Sequence, residues 1–111
     1  MIMSEISFKE FQNLDIRVGL VENVEDIPGS KNLIKLLVSF GSEKRQAVAG
    51  LKQYVKPEEL TGKKYIFILN LEKKKLMGIE SQCMILAAED SKGNVVLLKP
   101  EKDIEIGSRI T

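Results

Sequence analysis

The apolar positions of this chain change period along its length, and each change marks an element. Ser7-Phe8-Lys9-Glu10 has the form of a capping box, with Ser7 as cap and Glu10 reaching back to it, and predicts a short helix over Phe8–Asn13. From Leu14 to Ile27 the period is two. Leu14, Ile16, Val18 and Leu20 alternate with Asp15, Arg17 and Gly19, as in a half-buried strand. Val21 and Val24 fall in the other phase, so a bulge between Gly19 and Glu22 is expected to bend the strand. After the loop Ile27–Asn32, alternation resumes over Leu33–Phe40, and a turn at Gly41–Lys44 leads into a third strand at Arg45–Val48.

Pro57-Glu58-Glu59-Leu60 reads as a helix start with proline first and acids near the positive end of its dipole, and Gly62 stops it. Lys64–Leu71 is nearly all apolar and predicts a central fourth strand; Glu72–Met77 reads as a polar, lysine-rich connection. Ile79–Glu89 predicts a fifth strand, Val95–Leu98 a sixth after the turn Asp90–Asn94, and Gly107–Thr111 a short terminal one. Short strands with one helix between the third and fourth give an all-β chain in the order of an OB-fold, a five-stranded barrel. SH3-like barrels and small sandwiches are the competing arrangements. The length of 111 residues suits one domain, residues 1–111.

Composition narrows the chemistry. Histidine is absent, which excludes His-based triads and His-ligated metals. The one cysteine, Cys83, lies in an apolar strand and reads as an inert buried thiol. No phosphate-cradling glycine loop, metal-ligand spacing or base–nucleophile pair occurs, so no catalytic residue, metal or cofactor is expected. No stretch approaches a membrane span, and Met1–Ile6 does not read as a signal peptide, so the expectation is a cytoplasmic protein with no membrane partner.

The formal charge is +1, so any nucleic-acid role needs a local basic patch. Lys73-Lys74-Lys75 is the densest run. It reads either as a solvated connection or as a phosphate-contact site. On an OB-fold the loop with Lys31, the outward Lys35 and Arg45, and this run would converge on the binding face. Phe8, Phe11, Phe40 and Phe67 read as core, leaving Tyr54 and Tyr65 for stacking. So few aromatic platforms suit a folded RNA read by shape.

Four segments together resemble the tRNA-binding domain family: Asp15–Gly19, Arg45–Gly50, Asn70-Leu71 and Gly78–Ala88. The resemblance runs from about Phe8 to Ile110. The family includes stand-alone structure-specific tRNA-binding proteins, the secretion chaperone CsaA and domains appended to methionyl-tRNA synthetases. The resemblance implies an OB-fold with a short N-terminal helix and added C-terminal strands. It also implies a non-catalytic, homodimeric tRNA-binding protein. The alternative it leaves open is a CsaA-like export chaperone with unfolded clients, or a docking subunit for an aminoacyl-tRNA synthetase. Such a protein-binding role needs an exposed apolar patch, for which Leu76, Met77 and Ile79 are candidates. In the family pattern Ser81, Gln82 and Met84 carry RNA contacts, and Asn70 and Lys75 match an Asn-Leu segment and the basic residue after it. Asn32, Ala49, Met77 and Cys83 differ from that pattern. Arg17, beside Asp15, reads as one half of an ion pair, with a phosphate contact as the alternative.

Overall fold

The computed structural model describes residues 4–111; the signal-peptide reading of Met1–Ile6 lies partly outside them. Its elements are α1 (Phe8–Gln12), β1 (Ile16–Asp26), β2 (Ile34–Ser39), β3 (Lys44–Ala49), α2 (Pro57–Leu60), β4 (Lys64–Ile68), β5 (Lys74–Leu76), β6 (Ile79–Ser81), β7 (Met84–Ile85), β8 (Ala87–Glu89) and β9 (Val95–Leu97). A five-stranded antiparallel sheet in the order β3-β2-β1-β4-β7 curls into a nearly closed barrel, while β5-β6 and β8-β9 form two separate hairpins. This is the OB-like arrangement.

The expected bulge is present. Register between β1 and β2 shifts between Val21 and Asn23, leaving Glu22 as the extra residue. It bends an 11-residue strand so that its first half pairs with β4 and its second with β2. The C-terminal run covers the first half's other edge. Val18 N–H donates to the Ser108 carbonyl, Gly107 N–H to Val18, and Ile110 N–H to Ile16, at 2.7–2.9 Å. The predicted terminal strand Gly107–Thr111 is not formed as a continuous strand; its place is taken by an isolated bridge of Arg17 with Arg109.

Val21, Ile34, Leu36, Val38, Phe40, Ala47, Leu60 and Phe67 fill the interior. Phe40 and Phe67 meet edge to face with ring centroids 5.5 Å apart. The capping box forms at α1: Glu10 N–H donates to Ser7 Oγ at 3.1 Å, and the Ser7 hydroxyl donates to the Glu10 carboxylate. Yet α1 buries none of its residues. Phe8 is 71% exposed, so its expected place in the core is not taken. Phe11 is half-buried against Phe8, in a stacked pair at 6.4 Å. Tyr65, expected outside as a stacking platform, is instead buried, with its hydroxyl against the Glu59 carbonyl.

The predicted fifth strand, Ile79–Glu89, breaks into β6, β7 and β8. The chain must leave its hairpin with β5, pass β3, pair with β4 and then turn into β9, and no straight strand serves four neighbours. The expected connection Glu72–Met77 is largely the other arm of that hairpin.

Candidate nucleic-acid interface

The site forms where the β5-β6 hairpin leans against β3. The outward edge of β3 has no strand to pair with along its length, so its polar groups need other partners. Side chains supply them. Ser81 Oγ accepts from Val48 N–H at 3.0 Å and donates to the Cys83 carbonyl; Gln82 Oε1 accepts from Gln46 N–H at 3.1 Å. Gln46 answers with its own amide, donating to the Glu80 carbonyl at 2.7 Å, and Gln82 N–H reaches the Gln46 carbonyl. Ser81 and Gln82 therefore close the barrel while lining the site. Gln46, their counterpart on β3, was not among the sequence candidates; only the edge position of β3 explains its role.

The cations separate into two groups. Arg45 Nη1 donates to the Leu69 and Gln82 carbonyls at 2.8 and 3.1 Å, and its remaining edge grips Glu43. Little of that guanidinium is left for a phosphate. Lys35 pairs with Glu25 at 3.1 Å, and Arg17 with Asp15 at 2.7 Å, the ion pair its position suggests. Asp15, by hydrogen bond and charge, holds the Arg17 guanidinium's pKa above its ordinary value. Among the described residues, Lys31, Lys73, Lys74 and Lys75 form no ion pair, and all four are exposed.

Strand geometry then divides the lysine run. Lys74 sits opposite Ser81 and lines a groove with Leu76, while Lys75 sits opposite Glu80 on the other face. Asn70 bridges elements: its carbonyl accepts from Asp15 N–H at 2.8 Å and its amide donates to the Asn13 carbonyl. Asn32 lies exposed in the β1-β2 loop, where Ser30 Oγ receives the Asn32 and Leu33 N–H groups and the Asn32 carbonyl accepts from Lys52. Met84 stands half-exposed on the groove's lip above the buried Cys83, whose thiol burial pushes up to about 12. That thiol is protonated at neutral pH, as an inert cysteine should be.

The hairpin tip carries backbone strain. Met77 has φ of 50° and Gly78 of 79°, so the two-residue turn needs positive φ at both positions, which suits Asn-Gly better than Met-Gly. The Met77 methyl reaches the β1-β2 loop beside Gly29, bringing the two loops to one rim. Met77→Asn should stabilise the protein by about 1 kcal/mol, as a rise in the denaturation midpoint, because asparagine tolerates the left-handed region. An unchanged or lower midpoint would show that the methyl contact outweighs the strain.

Comparison with known proteins decides the family. The model described as "Putative tRNA binding domain" matches residues 16–109. The chain belongs to the tRNA-binding domain family. It is 54% identical to the methionine–tRNA ligase of Methanocaldococcus jannaschii and 51% identical to that of Thermococcus kodakarensis. Each match covers 97% of this chain but only 17% and 14% of those proteins. Among solved structures, the MetRS related protein from Pyrococcus horikoshii matches with TM-score 0.93 and 42% identity, over 98% of this chain and 100% of that one. The chaperone CsaA from Bacillus anthracis matches with TM-score 0.86 and 29% identity, over 97% and 100%. The candidate residues lie on the β1-β2 loop and on the hairpin beside β3. Among the described residues no helix is long and apolar enough to cross a membrane.

Proposed function

We propose that this protein is a non-catalytic, cytoplasmic, structure-specific tRNA-binding protein that acts as a homodimer. The observation that carries the reading is the set of lysines without ion pairs on the hairpin and the loop beside it, Lys31, Lys73, Lys74 and Lys75, in a chain of this family. Carboxylates already neutralise the nearby Arg17, Lys35 and Arg45, whereas these four lysines, clustered on the β5-β6 hairpin and the β1-β2 loop, are free to replace the counterions of an RNA backbone. Met84 lines the groove beside Lys74, Asn32 follows Lys31 in the β1-β2 loop, and Asn70 precedes Leu71 of the groove wall. Ser81, Gln82 and Arg45 hold the hairpin against β3, and Lys35, paired with Glu25, stands on the neighbouring strand as a weaker backbone contact. Exposed aromatic side chains are few, so recognition rests on the spacing of phosphates in a folded RNA. Joined to an aminoacyl-tRNA synthetase or docked on one, a domain of this kind raises the local concentration of tRNA.

The test is fluorescence anisotropy of labelled folded tRNA against an unstructured RNA of equal length, at several salt concentrations. Tighter binding of folded tRNA, with affinity falling steeply in salt, is expected. Equal binding of both RNAs would remove the structure-specific part. Absence of binding to either would remove the reading.

The dimer rests on α1. Ile6 and Phe8 are 72% and 71% exposed, and with Phe11 and Leu14 they line a depression of about 600 Å3. A short helix with no residue buried in its own core gains stability by packing on a second copy. We expect wild type to sediment as a dimer and Phe8→Asp as a monomer with an unchanged far-UV spectrum. A wild-type monomer, or a dimeric Phe8→Asp, would place the interface elsewhere or nowhere.

A further inference from the structure

Next to the free lysines lies a groove that phosphate contacts alone leave unused. It holds about 280 Å3, with Leu71, Leu76 and Met84 as walls, Val48 and Cys83 beneath them, and Lys74 at the rim. Pockets for drug-sized molecules begin near about 300 Å3, so this one has room for a single heterocycle and not for a stacked pair. Val48 and Cys83 are buried, whereas Leu71 and Met84 are 45% and 47% exposed. The walls therefore reach solvent and the bottom does not.

The polar atoms near the bottom are already engaged. Ser81 Oγ serves Val48 N–H and the Cys83 carbonyl, so the groove presents no unmet hydrogen bond to a flat apolar ring face. Its rim offers both kinds of polar partner. Lys74 donates, the Glu72 carboxylate accepts, and among the described residues neither is tied up in an ion pair.

We infer that this groove takes one unstacked nucleobase of the bound RNA, with the adjoining phosphate on Lys73 or Lys74. The inference rests on the RNA-binding reading above. An apolar slot one ring wide, beside unpaired cations, matches a polymer in which a flat ring is linked to an anionic backbone. A base edge supplies acceptors for Lys74 and an amino group for Glu72; the ring face lies on leucine and methionine. An apolar peptide side chain would fill the slot but leave the lysines without counter-charge. Charge complementarity therefore favours the nucleotide.

Two experiments test this, both on the full chain. Leu71→Trp covers the mouth without removing a lysine. It should weaken tRNA binding roughly ten-fold, the order of one apolar ring returned to water. The slope of log affinity against log salt should stay unchanged, because the neutralised phosphates are the same. Independently, methyl resonances of Leu71, Leu76 and Met84 in wild type are followed during titration. The probes are the four 5′-mononucleotides, ribose 5-phosphate and a short unstructured apolar peptide. Shifts with at least one mononucleotide, and none with ribose 5-phosphate or the peptide, are expected. If wild type binds tRNA but no mononucleotide moves these methyls, base capture is overturned and the phosphate reading stands. The same holds if Leu71→Trp binds tRNA as wild type does. Shifts with the peptide in place of the nucleotides would make the groove a protein site and overturn the inference. A wild type that binds no tRNA overturns both.

Discussion

Gly19→Ala should destabilise the protein by about 3 kcal/mol or more, at the upper end of the usual cost of overpacking a core. Gly19 is not needed for an unusual backbone angle; it is absent from the positive-φ glycines. Its role is space. A Cβ built there would stand 2.6 Å from Val38, 2.7 Å from Phe40 and 2.8 Å from Phe67. None of these is the loose end of a long side chain. Val38 and Phe67 are wholly buried, Phe40 nearly so, and the two rings lock each other edge to face. Moving any of them strains β1 against β2 or β4, since Gly19 pairs opposite Tyr65 next to the junction where the sheet changes partner. At roughly 4 °C or more per kcal/mol for a domain of this size, thermal unfolding followed by circular dichroism should shift down by about 10 °C or more. A shift of under about 3 °C would mean the core relaxes at little cost and is less tightly packed than described.

The second large effect concerns binding. Replacing Lys73, Lys74 and Lys75 together by alanine should lower affinity for folded tRNA by up to about a thousandfold in 0.1 M salt. Counterion release contributes about ten-fold per neutralised phosphate at that concentration. The slope of log affinity against log salt should become shallower by about 3, roughly one unit per lysine removed, if all three reach phosphates. These side chains lie on an exposed hairpin and make no hydrogen bond or ion pair among the described residues, so stability should change little. Lys35→Ala offers the contrast. Its charge is already answered by Glu25, so the loss should be smaller than for any one of the three. If Lys35→Ala and the triple variant weaken binding equally, ion pairing does not decide which cations meet the RNA. If the triple variant binds as wild type does, the hairpin is not the interface.

Much of the barrel was readable from spacing. Alternation placed β1, β2 and β3 within a few residues, and the phase change at Val21 located the bulge, because a half-buried strand writes its own period into the chain. The Ser7–Glu10 cap was readable for the same local reason. Four short motifs in order pointed to the family that the comparisons then showed.

Other features depended on distant neighbours. Phe8 and Phe11 read as core because aromatic residues near a helix start usually pack inward, but the barrel is already filled without them. The lysine run looked like one connection. Pairing of β5 with β6 made it a strand arm and put Lys74 and Lys75 on opposite faces. The turn that allows this has a methionine at positive φ, a residue that sequence rules do not place there.

Local order determined where strands run, which face of each is apolar, and how the chain bends, since those follow from periodicity and from caps and turns a few residues long. The tertiary structure decided which polar groups remain available. Lys35 finds Glu25, Lys52 finds Asp26 and Lys64 finds Asp103 across strands or loops, while Arg45 is absorbed by carbonyls of β4's end and of Gln82. Ser81 and Gln82 are drawn into closing β3, and a groove opens beside them. Hydrogen bonds and ion pairs act over a few ångströms, and the chain brings residues that close only after its strands have paired.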